Sequence, residues 1–376
     1  MHKPITLVTV ISRMNVGGPA ILIDGLIQGL PKEDFTHHLI TGSCEKNEID
    51  YLDGHPNLEK LISVHRLKSL GRSILPTKDL RTLLETIRLL KEIKPDIVHT
   101  HTSKAGIIGR LAAKIASPNS TVIHTFHGHL LYGYFSPLKT KLIILFEKFL
   151  SKMTDVLVAV TSQIERDLKN VGIGISNRWE VIHPGVSQVE LKKITRTEQA
   201  TKHLVWIGRF TDIKNSNLAI EIMESLGKLN GSAVSLTMVG DGELLPNIQS
   251  LVKSKQLPIE FTGWQTDVYP YLQEADALLL TSKNEGLPIV MLEAASMGIP
   301  TFSTNVGGVS EFIADGFSGF FIDQDLDIAA KYISETLSND EAMNSVSKTA
   351  SDRYQNGFSM NSFVESHSKL YKSLIN

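Results

Sequence analysis

Short apolar runs alternate with amphipathic stretches along nearly the whole chain, and the alternation lapses once, in a polar, charge-rich segment from Ser187 to Lys202, before it starts again. The first series holds Ile5 to Ile11, Asp96 to His99, Thr121 to Phe126 and Asp155 to Val160. The second holds His203 to Gly208, Ser235 to Val239, Ile259 to Thr262, Asp276 to Thr281, Pro300 to Thr304 and Gly319 to Ile322. Runs this short and this apolar fit strands covered on both faces, and helical stretches between them make each return a parallel crossover. The pattern predicts an α/β chain with two doubly wound parallel sheets: a domain over 1–186, a linker over 187–202 and a second domain over 203–359. At 376 residues the chain is too long for one compact core in any case. Phe363, Val364, Leu370 and Leu374 recur among polar residues near the end, which predicts a helix over 360–376 that packs back on the first domain.

A formal charge of -2 excludes a globally basic nucleic-acid binder, but the charge is unevenly spread. Glu59 to Lys152 carries 16 Lys or Arg against 6 Asp or Glu, so the first domain is basic and suits an anionic partner. Cys44 is the only cysteine, which rules out an intrachain disulfide and a cysteine zinc site and fits a reducing compartment. The N-terminus has no cleavage pattern of a signal peptide, and no segment approaches the ~18 to 20 apolar residues of a membrane span. A cytoplasmic protein is expected. Ser136 to Met153 sets Lys139, Lys141, Lys148 and Lys152 around Leu142, Ile143, Ile144, Leu145, Phe146, Phe149 and Leu150. Two readings stand: a helix resting on an anionic bilayer, which would make the protein peripheral to the inner membrane face, or a core-facing helix with a lysine-rich outer side.

The chemistry concentrates at strand ends. Asn284 to Glu293 places Glu285 on the loop after the apolar run Ala277 to Thr281 and Glu293 on the following helix, with Pro288 suited to its first position. Open α/β sheets bind ligands at such carboxyl ends, and the free amides of Gly286, Leu287, Pro288's neighbours and Ile289 at a helix start attract phosphate. Arg209 and Lys214 follow the strand Leu204 to Gly208 and suit a diphosphate, Arg as a planar fork and Lys as a point charge; the plain alternative is a solvated loop. Gly17 and Gly18 close the first strand and let backbone approach a phosphate, though the spacing is not the Gly-x-Gly-x-x-Gly of a dinucleotide enzyme. Gly240 marks a tight turn in the second domain. The histidines fall in two groups, His99 and His101 with Lys104, and His127 with His129, each closing an apolar strand. With no cysteine or carboxylate beside them, hydrogen bonding from rim loops to substrate hydroxyls and phosphate fits better than zinc.

Together these residues resemble the retaining glycosyltransferases of family 4, over nearly the whole length. The resemblance rests on Gly17-Gly18, Thr125-Phe126-His127-Gly128, Ile182 to Val186, Gly208-Arg209 with Lys214, the Glu285-x7-Glu293 element, Gly298-Ile299-Pro300 and Asn305 to Glu311. The histidine groups resemble bacterial members that build capsule, exopolysaccharide or O-antigen. It implies a GT-B fold of two Rossmann-like domains, with Arg209 and Lys214 on the donor diphosphate and Glu293 on the ribose. Glu285 would hold the transferred sugar, Gly17 and Gly18 the distal phosphate, and His127 would lie near the reacting centre, with His99, His101, Lys104 and His129 on the acceptor side. Asn215 stands where the family often has Gly after the Lys. The implied reaction transfers a sugar, with retention, from a nucleotide-sugar donor of the UDP type to a saccharide on a polyprenyl diphosphate. It needs no cofactor and no Asp-x-Asp metal site. A nucleotide-sugar 2-epimerase and a non-catalytic nucleotide- or sugar-binding component of an assembly complex are the competing readings.

Overall fold

The computed structural model describes residues 3–45, 48–71, 73, 75–128, 131, 136–189, 201–229 and 233–375. The chain divides into two compact units, Met1–Gly185 with Met360–Asn376, and Val186–Ser359.

The first unit is a seven-stranded parallel sheet of β1 (Ile5–Ile11), β2 (Phe35–Thr41), β3 (Ser63–Arg66), β4 (Ile97–His101), β5 (Thr121–Phe126), β6 (Val156–Ala159) and β7 (Arg178–Val181). Their order is β3-β2-β1-β4-β5-β6-β7. The central strands are the apolar runs of the sequence, β4 and β6 buried throughout and β1 buried from Leu7 on. Three strands escaped the pattern. β2 carries Thr36, His37 and His38 among its apolar residues, while β3 and β7 are partly exposed edges whose polar residues need no burial.

The helix Met360–Ile375 belongs to this unit. It buries Phe363, Val364, His367, Leu370 and Tyr371. It lies against the helix Gly18–Gly29 so closely that a Cβ on Gly25 would stand 2.0 Å from the Met360 sulfur.

The helix Pro137–Ser151 departs from the core-facing expectation along most of its apolar residues. Its buried residues are Glu147, Leu150 and Ser151, whereas Leu138, Leu142, Leu145, Phe146 and Phe149 are exposed, Leu138 by 71%. Leu150 and Ile144 meet the core, but positions 138, 142, 145, 146 and 149 share one turn-by-turn stripe that faces away from the unit. What seats the helix is an ion pair, with Arg110 Nη2 giving 3.0 and 2.8 Å bonds to both Glu147 oxygens and Nε donating to the Gly106 carbonyl at 2.8 Å. Arg110 is fully buried. Among the described residues no helix is long and apolar enough to cross a membrane.

The second unit repeats the plan with β8 (Lys202–Ile207), β9 (Val234–Val239), β10 (Ile259–Gly263), β11 (Ala277–Leu280), β12 (Thr301–Ser303) and β13 (Phe320–Phe321), in the order β10-β9-β8-β11-β12-β13. One face packs on helices through Trp206, Ile220, Met223, Leu236, Leu279 and Phe302, the other through Val205, Leu278, Met291, Leu292 and Phe312. In both sheets the order reverses beside the first strand of the unit, which leaves a crevice at the carboxyl ends of β1 and β4 and of β8 and β11.

Removing Glu147 strands the buried guanidinium of Arg110. Glu147→Ala is expected to destabilise the first unit by about 3 to 5 kcal/mol, the cost of an uncompensated buried charge, read as a lowered urea midpoint of its transition. An unchanged midpoint would show that the pair is not what anchors the helix.

Candidate functional site

In the second unit the loops after β8 and β11 are stitched together by Thr281. Its hydroxyl takes a 3.0 Å bond from Trp206 Nε1 and lies 3.2 and 3.0 Å from the carbonyls of Lys214 and Asn215. The Lys283 amide adds a 2.8 Å bond to the Ile213 carbonyl. This clamp brings Lys214 Nζ to 2.5 Å from Glu285 Oε1, which also accepts from Ser282 Oγ at 2.6 Å. An ammonium has three donors, so two of those on Lys214 stay available to an anion beside the pair. Asn215 sits at φ 50, ψ 51, the left-handed region. Asn is among the few side chains that tolerate it, so the replacement of the usual Gly keeps the loop turn.

Two glycines are there for close approach. A Cβ on Gly307, at φ 53, would stand 1.9 Å from the Glu285 carbonyl, which the Gly308 amide also meets at 3.3 Å. A Cβ on Gly240 would stand 2.0 Å from the Gly208 carbonyl. Gly240 thus lets the ends of β8 and β9 touch.

Pro288 is the residue before the helix Ile289–Ser296 and not its first turn, a shift of one from expectation. Leu287 is buried in the apolar cluster of Met291 and Val309, so its side chain anchors the loop. Glu293 lies within the helix and is 9% exposed. Burial first, and Asp267 second, push its carboxyl up to about 7. Its neighbour Tyr269 is raised by burial and then by Glu293 itself. Arg209 is exposed and has no ion pair among the described residues.

In the first unit Gly17 caps the helix that Gly18 begins, after a loop of five residues that follows β1. The histidines differ from expectation. His99 and His101 are not on rim loops but inside β4, fully buried, because a central strand runs to its last residue between two neighbours. Both nitrogens of His99 are taken, by Tyr371 Oη and Thr125 Oγ1 at 2.7 Å each. His101 Nδ1 meets His127 Nε2 at 2.9 Å. Among the described residues of the two groups only His127, half-buried after β5, is not fully buried; burial and then His367 lower it to about 4, so it is neutral near pH 7. Lys104 is spent on Asp79 and on the Ser73 carbonyl, each at 2.6 Å. His129 lies outside the described residues.

Thr281, Ser282 and Tyr371 went unnoticed in the sequence. A hydroxyl pair closing an apolar strand three residues before Glu285 was the available signal for the first two. Among the described residues no group of three His, Cys, Asp or Glu is placed to hold a metal. The Asp-x-Asp spacing does occur, at Asp323–Asp325 and Asp325–Asp327, contrary to expectation, but Asp325 caps the helix Leu326–Leu337 and Asp327 accepts from Ser225.

The model of Glycosyltransferase Family 4 matches residues 16–188 and that of Glycosyl transferases group 1 matches 187–353. The chain belongs to glycosyltransferase family 4. This glycosyltransferase is 29% identical over 368 residues to the UDP-Gal:alpha-D-GlcNAc-diphosphoundecaprenol alpha-1,3-galactosyltransferase of Escherichia coli, covering 92% of this chain and 91% of that one. It is 22% identical over 370 residues, 94% of each chain, to the capsular polysaccharide biosynthesis glycosyltransferase CapM of Staphylococcus aureus. The solved structure of Anabaena Alr3699/HepE in complex with UDP and glucose shares the fold at a TM-score of 0.81 and 15% identity, over 98% of this chain and all of that one. The fold of the enzyme is GT-B.

Glu293 makes stability depend on pH. An unfolded carboxyl near 4.5 ionises first, so the folded enzyme loses stability as pH rises from there to about 7, by roughly 3 kcal/mol in all, and loses nothing below that window. Glu293→Gln is expected to unfold later than the parent at about pH 8 and level with it at about pH 4; equal urea midpoints at both would place the carboxylate in water.

Proposed function

We propose that this glycosyltransferase of polysaccharide biosynthesis takes its sugar from a UDP-linked donor held by the second unit. The acceptor is a saccharide on a polyprenyl diphosphate at the cytoplasmic membrane face, and transfer proceeds with retention and without a metal. The observation that carries the reading is the Lys214–Glu285 pair at the switch point of the second sheet, with Glu293 on the next helix. The names of the Escherichia coli relative and of the Anabaena complex support the donor and acceptor classes.

The chemistry asks little beyond these groups. The bond from the sugar's anomeric carbon to the diphosphate oxygen breaks, a bond to the acceptor oxygen forms on the same face, and the departing phosphate takes the acceptor's proton. Negative charge grows on the phosphate as the bond stretches. Lys214 and Arg209, with the backbone N–H groups of Gly286, Leu287 and Ile289, meet that charge where a metal would in other transferases. Glu285, fixed by Lys214 and Ser282, accepts from the sugar's hydroxyls, and a Glu293 carboxyl oxygen accepts from the ribose hydroxyls. In the first unit, His127 meets the acceptor.

Calorimetry with UDP, GDP, ADP and their sugar conjugates tests the donor site on metal-free protein. UDP is expected to bind selectively. Arg209→Ala and Lys214→Ala should each weaken it by about 1.5 to 3 kcal/mol, the scale of a charge-assisted hydrogen bond, and Glu293→Ala should weaken it too. No nucleotide binding, or binding indifferent to all three changes, would overturn the assignment. A C2-epimerised sugar formed without acceptor would make the protein an epimerase.

The membrane contact is read from the outward stripe Leu138, Leu142, Leu145, Phe146 and Phe149, flanked by exposed Lys139, Lys141 and Lys152. Apolar side chains at headgroup depth with lysines beside them suit an anionic bilayer. Co-sedimentation with vesicles rich in anionic lipid should be lost in Leu142→Glu/Phe146→Glu, while transfer to a water-soluble acceptor persists. Equal sedimentation of the variant would remove the membrane from the account.

A further inference from the structure

The first sheet carries a run of imidazoles on the face covered by the helices Gly18–Gly29 and Met360–Ile375. His37, His99 and His101 come from the strands and His367 from the C-terminal helix, and all four are buried. The His99 ring lies 4.2 Å from that of His101 and 5.8 Å from that of His367. Asp24, the buried carboxylate on the other covering helix, is occupied by Tyr51 and Gln28 at 2.7 and 2.6 Å. Burial lowers each of these rings, and no carboxylate among the described residues is close enough to offset it, so they are neutral and each carries one proton.

The positions of those protons follow from the hydrogen bonds. His367 Nδ1 lies 3.0 Å from the Phe363 carbonyl, which can only accept, so its proton is on Nδ1 and its Nε2 is a bare lone pair. Among the described residues three buried imidazole nitrogens have no partner: His37 Nδ1, His101 Nε2 and His367 Nε2. A buried N–H without an acceptor is the costlier orphan. One assignment leaves none. His37 donates from Nε2 to Thr9 Oγ1 across 2.8 Å, His367 donates to Phe363, and His101 donates from Nδ1 to His127 Nε2 across 2.9 Å. The reverse assignment at the last pair would force the His101 proton onto the unpartnered, buried Nε2.

We infer that His101 is a positioning residue which locks His127 in the tautomer protonated on Nδ1, so that His127 meets an oxygen of the substrate as a neutral hydrogen-bond donor. In that state its only lone pair is occupied by His101, and His127 takes no proton from the acceptor. That substrate role rests on the acceptor-side placement of His127 proposed above; the tautomer does not.

The test is nitrogen-15 NMR of the full chain labelled at histidine, with the His127 ring assigned from the spectrum of His127→Gln. In the parent, the directly bonded proton of His127 is expected on Nδ1. His101→Asn, whose amide nitrogen can donate from the same place, should keep it there. His101→Leu, which removes the donor, should shift it to Nε2, the tautomer a free imidazole prefers. A parent proton on Nε2, or no shift in a folded His101→Leu, overturns the proposal, and the parent spectrum decides even if that variant fails to fold. Failure of the transfer reading would show in the sugar assay and leave this spectrum unmoved.

Discussion

β11 pairs with β8 and not with β10, its predecessor in the chain, and the second unit's chemistry depends on that pairing. With β9 taken on one side of β8, the chain had to return on the other. The helices that follow β8 and β11 then lie on opposite faces of the sheet and leave the strand ends uncovered. Lys214 and Glu285, 71 residues apart, meet only because the two strands are neighbours. The Thr281 hydroxyl holds the junction by joining an indole N–H below to two carbonyls beside it, so loop geometry is tied to a buried strand end and not to loop stiffness.

The first unit has the same strand order at its centre but fills its crevice differently. Polar side chains run down the buried face of β4, and the helix Met360–Ile375 closes over them with Tyr371 and His367. Buried polar groups are tolerated when they find partners, and His99 finds two. The end of the chain is thus part of the first unit's core chemistry: Tyr371 satisfies His99, and His367 adds to the burial that keeps His127 neutral.

Much of the fold was legible because a central parallel strand must be apolar on both faces, so β1, β5, β8 and β11 announce themselves. Edge strands carry no such demand, and β3 and β7 passed unseen; β2, inside the sheet, passed unseen because Thr36, His37 and His38 interrupt its apolar run. Arg209, Lys214, Glu285 and Glu293 were legible because they follow strand ends at short spacing. His99, His101 and Lys104 misled for a related reason. Polar residues after an apolar run look like a loop, but β4 continues through His101, and Lys104 sits in the first turn of the next helix, where Asp79 of another helix claims it. The helix Pro137–Ser151 carries enough apolar residues for either a core or a membrane face; which side turns inward follows from Arg110 reaching Glu147 from a neighbouring helix.

The sequence by itself determined the α/β class, the lapse after Ser187 that separates two repeating series, the basic character of the first unit and the residues that crowd the strand ends. Those properties are local: each follows from the period of apolar residues or from the count of charges over a short span. Tertiary structure alone decided that Lys214 neutralises Glu285, that Glu293 is dry enough to hold its proton near neutrality, and that His101 lies behind His127. Each depends on burial or on a partner tens of residues away, and neither has a signature in the residue's own neighbourhood.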